Sequence, residues 1–215
     1  MGLFFKKNRA PHFGKYLMET VKRVDHPTTR IDAESVPRVP FRGSFFNRPF
    51  FGDFGERVKN EWARFIAKYP LAAAMGEITQ AIVPLQDGLV AEEKAPGTDD
   101  PEVMAKNIKS LAYFLDMDIV GICEIPDYAW YSHDAHGNEI EPYHKYAVVM
   151  LIDQGFDTME GASGDDWISG VQSYRAYLRG AEVGSVIAGY IRQLGHGARC
   201  QSAADGHVLQ IPLML

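Results

Sequence analysis

The amino-acid sequence predicts an α+β fold, and two kinds of apolar pattern support that prediction. Residues 146–152 form a continuous apolar run, which is typical of a strand buried on both faces. Residues 118–125 are rich in β-branched side chains and end before Pro126, which indicates a second strand. Apolar residues recur at helical spacing over residues 55–68 and 173–194. The strand at 146–152 and the long helix after it are therefore expected to form the centre of the core.

The composition limits the possible functions. The chain has 215 residues and a net charge of −6, which is unlike the basic surface of a general nucleic-acid-binding protein. Its two cysteines, Cys123 and Cys200, are too few for a disulfide framework or a four-thiolate cluster, so we expect reduced, buried thiols. No window holds the roughly 20 apolar residues of a membrane-spanning helix, and the start is unlike a signal peptide. A cytoplasmic protein without nucleic-acid or membrane partners is expected.

Residues 1–54 form the first predicted unit, an amphipathic helix over 11–24 followed by an extended arm over 25–54. Four prolines exclude a regular helix or a central strand from the arm, and six phenylalanines are unlike a disordered linker. We expect these rings to anchor the arm on its own domain, with a missing domain or a second subunit as the alternative. A single-stranded nucleic-acid surface is disfavoured because the chain is acidic. The rings belong to Phe41, Phe45, Phe46, Phe50, Phe51 and Phe54.

Residues 55–215 form the second predicted unit, the α+β domain. Its predicted helices cover residues 55–68, 71–83, 100–115 and 173–194, and its predicted strands cover 118–125, 146–152, 198–203 and 207–215. Residues 86–97 and 156–171 are predicted to be surface loops, since they are polar or rich in Gly and Asp. A hairpin turn is predicted at 134–138, where Gly137 and Asn138 supply the turn.

Local signals predict where two of these helices begin and end. Asp99 or Asp100 is expected to cap the helix at 100–115, with Pro101 at its first position and Val103 among its buried residues. Gly195 is a left-handed stop for the last helix. Three glycines inside that helix each cost about 1 kcal/mol relative to alanine, which close packing against the sheet would offset. They are Gly180, Gly184 and Gly189.

The chain ends in an apolar run, Ile211-Pro-Leu-Met-Leu215, without a turn or a charge after it. Natural termini are usually exposed and polar, so we expect the polypeptide to be cut inside a structural element. The domain would then be truncated at its C-terminal end. An exposed apolar last strand would also be prone to self-association.

Candidate site residues gather around the predicted hairpin. Tyr128, Tyr131, Tyr143 and His144 could line a pocket, although tyrosines at strand edges more often pack with a wet hydroxyl. His133, Asp134, His136 and His144 bring metal-ligand types close in sequence, but without a helical H-E-x-x-H spacing. A polar turn is therefore favoured over a metal site or a loop that contacts a ligand or partner. No residue pattern marks a catalytic group, and none is assigned.

Two glycine-containing segments are not nucleotide sites. Residues 161–166 lack the G-K-[ST] ending of a phosphate loop and carry acids where phosphate would bind. Gly195-His-Gly197 follows a helix, whereas a dinucleotide-binding turn opens one.

Several short segments carry a resemblance through their order along the chain. They are His26-Pro-Thr-Thr-Arg30, Val36-Pro-Arg-Val-Pro40, Gly52-Asp-Phe-Gly55, Val120-Gly-Ile-Cys123, His144-Lys-Tyr-Ala-Val-Val-Met-Leu-Ile152, Ile187-Ala-Gly-Tyr-Ile-Arg-Gln-Leu-Gly195-His and Ile211-Pro-Leu213. In this order they resemble the start of the cobalamin-dependent reductive dehalogenases of the soluble, non-respiratory type. They are more distantly similar to the epoxyqueuosine reductases.

This resemblance implies a nitroreductase-like α+β fold akin to the cobalamin chaperones, followed by a ferredoxin-like domain with two [4Fe–4S] clusters. It implies a whole enzyme that removes halide from an organohalide with cobalamin and electrons from a donor. The family's catalytic and cluster-binding residues match nothing here, so the chain alone is expected to hold no cofactor and to be inactive. Its expected partner is the remainder of its own polypeptide. A corrinoid-binding or structural module without catalysis, or an epoxyqueuosine reductase relative, is the alternative, though the long arm disfavours the latter.

Overall fold

The computed structural model describes residues 24–25, 29–163 and 167–214, and within them the side chains at all positions except 63 and 65–67. The predicted helix over 11–24 therefore lies outside the described residues. None of the helices in these ranges is long and apolar enough to cross a membrane.

The described residues combine helices with a small sheet, so the α+β class is confirmed at that level. The elements are α1 (Glu56–Ala67), α2 (Pro70–Ile82), α3 (Pro101–Phe114), β1 (Ile119–Glu124), β2 (Tyr146–Leu151), α4 (Phe156–Glu160) and α5 (Trp167–Gln193). The first three helices and both strands lie within about two residues of their predicted positions.

Helix α3 begins as its sequence predicts. The Asp100 carboxylate accepts hydrogen bonds from the backbone N–H groups of Glu102, at 2.9 Å, and Val103, at 3.1 Å. Two of the donors that a helix start leaves unpaired are thereby satisfied. The prediction that Val103 is buried is wrong, because its side chain is 52% exposed. The helix instead buries Ala112 and Tyr113.

Strands β1 and β2 pair antiparallel, with Val120 opposite Met150 and Gly121 opposite Val149. The prediction that the second strand is buried on both faces is wrong. Tyr146 and Leu151 at its ends are exposed, and the residues between them are only partly buried. The physical reason is that this sheet has two strands in the described residues, with helices packed on it through one cluster.

Helix α5 packs on the sheet and forms the main core. Val183 and Ile187 on α5 contact a cluster that includes Tyr113, Met117 and Val120. Two of the three internal glycines allow this approach: a Cβ on Gly184 would lie 2.6 Å from the Cys200 Sγ, and one on Gly180 would lie 3.4 Å from Ile152. A Cβ on Gly189 would meet nothing closer than 3.8 Å, so close packing does not explain that glycine.

The predicted loop at 156–171 is wrong in two places. Residues Phe156–Glu160 form the short helix α4, and α5 begins at Trp167, six residues before its predicted start at 173. The extra turns of α5 are held by burial of Val171 and Gln172, and the Gln172 side chain donates to the Gln154 carbonyl. That contact joins residues distant in sequence, which helical periodicity cannot show.

Among the described residues of the arm, 36–40 run without a turn, after a turn at 33–35. The Val39 carbonyl accepts from Ser132 N–H at 2.9 Å, and Phe41 N–H donates to the His133 carbonyl at 2.9 Å. Arg38 strengthens this pairing by donating to the carbonyls of Tyr131 and Ile140. From residue 41 to 54 the chain forms a short 3₁₀ turn and then successive turns.

Anchoring of the arm by its phenylalanines holds for one ring of the six. Phe41 packs against a second core cluster formed by Trp130, Tyr131, Ile140 and Val208. The other five rings are exposed, namely Phe45, Phe46, Phe50, Phe51 and Phe54.

The C-terminal residues do not form the predicted strands. Within the described range, residues 198–203 have no strand, and 207–214 contain one isolated bridge, between Val208 and Trp130, followed by a 3₁₀ turn at Ile211–Met214. Backbone groups at 198–205 are bonded by side chains from other elements, chiefly Gln86 and Arg192. These side chains replace the partner strand that a sheet would need.

Candidate functional site

Tyr143 is the centre of a polar cluster formed by two distant parts of the chain. Its hydroxyl lies 3.0 Å from His207 Nδ1 and 3.0 Å from Gln201 Nε2. Its ring makes edge contacts with Trp130 and His144, each at a centroid distance of 4.8 Å. The residues after β1 and the segment that follows α5 are therefore joined at this tyrosine.

Hydrogen bonds within the cluster determine the orientation of the Gln201 amide. The Gln201 Oε1 atom accepts from His207 N–H at 2.7 Å and from Arg199 Nη1 at 2.9 Å, which orients the amide. The Gln201 Nε2 group must then donate to the Tyr143 hydroxyl. The Tyr143 hydroxyl pairs with Nδ1 of a neutral His207, and the hydroxyl is the donor in the tautomer whose ring proton is on Nε2.

The electrostatics of the cluster agree with that assignment. Burial, aided by the positive charge of Arg199, lowers the pKa of His207 below its usual value. Burial also lowers the pKa of His144. Burial raises the pKa of Tyr143, against the opposing effect of the Gln201 hydrogen bond. The cluster thus favours two neutral imidazoles and a neutral phenol.

Arg199 supplies the positive charge next to these groups. Its guanidinium pairs with the Asp205 carboxylate and lies 3.8 Å from the Asp87 carboxylate. The Arg199 side chain is mostly buried, while Asp87 is exposed. Since the donors and acceptors of Tyr143, Gln201 and Arg199 are used within the protein, the arrangement acts as a clamp between two segments.

The structure separates the four predicted pocket residues. Tyr143 and His144 belong to the clamp. Tyr131 lies in the second core cluster, where its ring meets Phe41 edge-on at 5.4 Å and burial raises its pKa. Tyr128 is half-buried in the short turn Asp127–Ala129. The sequence did not predict that Arg199, Gln201 and His207 belong to this cluster. They lie about 60 positions after Tyr143, and no sequence motif connects them to it.

The histidine-containing turn is a structural turn. The Asp134 Oδ1 atom accepts from the backbone N–H groups of His136, at 2.8 Å, and Asn138, at 2.9 Å. The Asn138 side chain also bonds Asp134 and lowers the pKa of its carboxyl group. Gly137 adopts φ +85°, which the turn requires. Among the described residues, no group of three or more His, Cys, Asp or Glu side chains could hold a metal ion.

A second polar cluster, which we call the Gln86 node, was also not predicted from the sequence. Gln86, placed by the sequence in a surface loop, is 1% exposed. Its Nε2 donates to the Asp205 carbonyl at 2.9 Å and the Cys200 carbonyl at 3.2 Å, and its Oε1 accepts from Ser202. Arg192 from the end of α5 donates to the Gln86 carbonyl at 3.2 Å. This node joins α2, α5 and residues 198–205.

One open hollow lies at the ends of the two strands. It has a volume of about 270 Å³ and is lined by Asp118, Ile119 and residues 151–154. Pockets for drug-sized ligands measure roughly 300–1,000 Å³, and a corrinoid is larger than such ligands. The Asp118 carboxylate there is already bonded to Asp153 N–H at 2.8 Å and lies 3.5 Å from Arg179. This hollow therefore does not fit the corrinoid that the resemblance implies.

Comparisons with known proteins add the family. No protein-family model and no curated protein matches the chain. A solved structure of the catabolic reductive dehalogenase NpRdhA matches with 48% identity and a TM-score of 0.86, over 95% of this chain and 30% of that chain. Over 95% of its length the chain is therefore similar to a segment of a reductive dehalogenase.

Two further solved structures agree with this assignment. One is NpRdhA in complex with 3-bromo-4-hydroxybenzoic acid, with the same identity, coverage and TM-score. The other is a reductive dehalogenase whose structure suggests a mechanism for B12-dependent dehalogenation; it is 47% identical, with a TM-score of 0.86. The chain spans 30% of the length of these relatives.

Proposed function

We propose that this chain is part of a cobalamin-dependent reductive dehalogenase that removes halide from an organohalide. The observation that carries the proposal is the 48% identity and TM-score of 0.86 to NpRdhA over 95% of the chain. A halogenated hydroxybenzoate is the proposed substrate class, because NpRdhA is solved in complex with 3-bromo-4-hydroxybenzoic acid. The electron donor is a further partner that the reaction requires.

Within that enzyme, the role proposed for these 215 residues is structural. The clamp around Tyr143 and the Gln86 node use their polar groups internally, and no described residue is assigned a catalytic role. The finer fold proposal is a nitroreductase-like domain whose sheet is extended by the remainder of the polypeptide. Cobalamin and two [4Fe–4S] clusters are proposed for that remainder, and a cytoplasmic location for the whole enzyme.

Halide release by the whole polypeptide tests the activity. The protein, produced with cobalamin and reconstituted with iron and sulfide, would be incubated anaerobically with a reductant and 3-bromo-4-hydroxybenzoic acid. Bromide and 4-hydroxybenzoic acid are expected in equal amounts. Samples without cobalamin, and samples of residues 1–215 alone, are expected to release none. Lack of turnover by folded, cofactor-loaded protein across a panel of halogenated hydroxybenzoates would refute the proposal.

A further inference from the structure

Residues 41–62 present a surface of exposed rings, which we call the aromatic–arginine surface. Its five phenylalanine side chains are 39% to 69% exposed, and Trp62 is half-buried. The rings form two groups with edge-on or tilted contacts at centroid distances of 5.5–5.9 Å, namely Phe45, Phe46 and Phe54, and Phe50, Phe51 and Trp62. Phe50 also meets Trp62 of α1 at 5.7 Å, which connects the turns to that helix. The surface comprises Arg42, Phe45, Phe46, Arg48, Phe50, Phe51, Phe54 and Trp62.

Ion pairs and turns hold this surface in shape. The Asp53 carboxylate binds Arg42 at 3.0 Å and Arg48 at 3.2 Å. The two guanidinium groups lie over the rings of Phe51, at 4.9 Å, and Phe54, at 4.7 Å. Backbone hydrogen bonds within residues 44–55 close the turns. These contacts therefore hold the rings in a fixed arrangement.

A surface with this many exposed aromatic rings is unfavourable when it faces water. Soluble proteins seldom expose large contiguous apolar patches unless those patches bind something. The surroundings are moderately basic, since residues 41–68, which carry this surface and α1, hold six Lys and Arg and three Asp and Glu, a net charge of +3. One of these cations, Arg64, is paired with Glu61. The matching surface should therefore be apolar at its centre and acidic at its rim.

We infer that the aromatic–arginine surface is the docking site for the remainder of the same polypeptide, an inference that rests on the proposed function. The matched segment is 30% of the NpRdhA chain, and it matches across 95% of this chain at 48% identity. A whole relative thus contains more than twice as much further chain, which can cover the rings without a bimolecular association cost. The cover is an apolar, acid-rimmed surface from beyond the matched segment.

A second copy of the chain is the rival occupant. Residues 69–215 hold 8 basic and 21 acidic residues, a net charge of −13, so another copy also offers acidic residues. The two occupants differ in whether the contact is intramolecular, and covalent trapping separates them.

Photocrosslinking from the rings themselves is the test. The photoreactive amino acid p-benzoylphenylalanine would replace Phe46 or Phe50 in the whole, cofactor-loaded polypeptide, one position at a time. Both side chains are more than half exposed, so a larger aromatic ring fits without disturbing the core. A matched control carries the same probe at Leu89, which is 97% exposed and lies outside the surface. After irradiation, mass spectrometry identifies the crosslinked peptides.

The expected product is an unchanged chain mass with crosslinks from positions 46 and 50 to peptides beyond the matched segment, at least tenfold more abundant than from position 89. A product of doubled mass, or crosslinks confined to residues 1–215, would overturn the inference. Halide release is measured on the same unirradiated protein. Crosslinks without halide release would refute only the proposed activity, and halide release without crosslinks would refute only the docking.

Discussion

Single residues with buried polar groups hold the C-terminal segment in place. Gln86 is 1% exposed although it lies outside regular secondary structure, and its amide bonds two carbonyls and one hydroxyl. A polar group buried without a partner costs free energy, whereas a bonded one costs little. The amide therefore stabilises the fold mainly by preventing orphaned carbonyls.

Replacement of Gln86 by alanine tests this role. The Asp205 carbonyl and the Ser202 hydroxyl would lose their partner, so we expect the free energy of unfolding to fall by about 2–4 kcal/mol. Gln80→Ala is the matched control, since Gln80 is exposed on α2, and its effect should stay within about 0.5 kcal/mol. Urea unfolding monitored by circular dichroism measures both. Equal effects of the two variants would show that the node does not stabilise the protein.

Two glycines with the same backbone conformation differ in their surroundings. Gly195 and Gly137 both adopt φ +85°. A Cβ on Gly195 would lie 2.6 Å from the Glu93 carbonyl oxygen, whereas one on Gly137 would meet nothing within 4 Å. The first glycine is therefore required by conformation and by close approach of a backbone, and the second by conformation alone.

Alanine at each of these positions separates the two causes. Gly137→Ala should cost about 1–2 kcal/mol, the penalty of a left-handed alanine. Gly195→Ala should cost more than about 3 kcal/mol, because the backbone of residues 93–94 must also move. The midpoints of urea unfolding give the comparison. If both variants lost the same stability, the close approach of residues 93–94 to the end of α5 would be refuted.

At the scale of elements, the contact of α5 with the segment that follows it depends on a small residue. Gly184 lies where α5 passes over Cys200, and the Sγ atom occupies the space that a side chain would need. Sequence alone predicted close packing for three glycines, and the structure shows it for Gly180 and Gly184. Helix propensity is a local property, whereas a clash depends on which other element passes nearby.

Gly184→Ala should therefore destabilise the protein although alanine favours helices. Overpacking costs about 1–3 kcal/mol, and the gain in helix propensity returns about 1 kcal/mol, so a net loss of up to about 2 kcal/mol is expected. Gly189→Ala should be neutral or stabilising by up to about 1 kcal/mol, because its Cβ has room. Adding Cys200→Ala to Gly184→Ala should recover part of the loss. No recovery would argue against the Sγ contact as the cause.

The elements were predictable to different degrees. Helices α1, α2 and α3 and both strands follow from periodicity, proline positions and the cap at Asp100, which are local signals. Helix α4 and the early start of α5 were missed, because Gln172 reaches a carbonyl 18 residues earlier in the chain. The segment 198–214 was mistaken for strands because Val208, Leu209 and Leu213 are apolar, but these residues pack in the second core cluster, and the segment makes one isolated bridge.

At the scale of the whole molecule, the clamp around Tyr143 makes stability depend on pH. The folded-state pKa values of His207 and His144 lie below the unfolded value of about 6.5. The unfolded chain then binds more protons between the folded and unfolded pKa values. The stabilisation is complete above about pH 7.5 and is lost as the pH falls through 6.5 towards the folded-state pKa values.

The predicted outcome is a lower urea midpoint at about pH 5.5 than at about pH 8. His207→Gln should reduce this difference, because it removes a group whose protonation conflicts with the Tyr143 hydroxyl and Arg199. The charges that act on His207 are those of Arg199, Asp205, Asp134 and Asp87. His133→Gln, at the exposed turn, is the control and should leave the difference near that of the parent protein. If the difference between the two urea midpoints were unchanged in His207→Gln, His207 would not be a source of the pH dependence.

The sequence by itself determined the α+β class, the main helices and strands, and the resemblance to reductive dehalogenases, which the comparisons confirm. These properties depend on residues near one another in the chain. Tertiary structure decided that Gln86 is buried, that Tyr143 meets His207 and that five phenylalanines of the arm face outward. The physical reason is that burial and side-chain pairing depend on contacts between residues far apart in the sequence, and local sequence patterns do not show which of these residues meet.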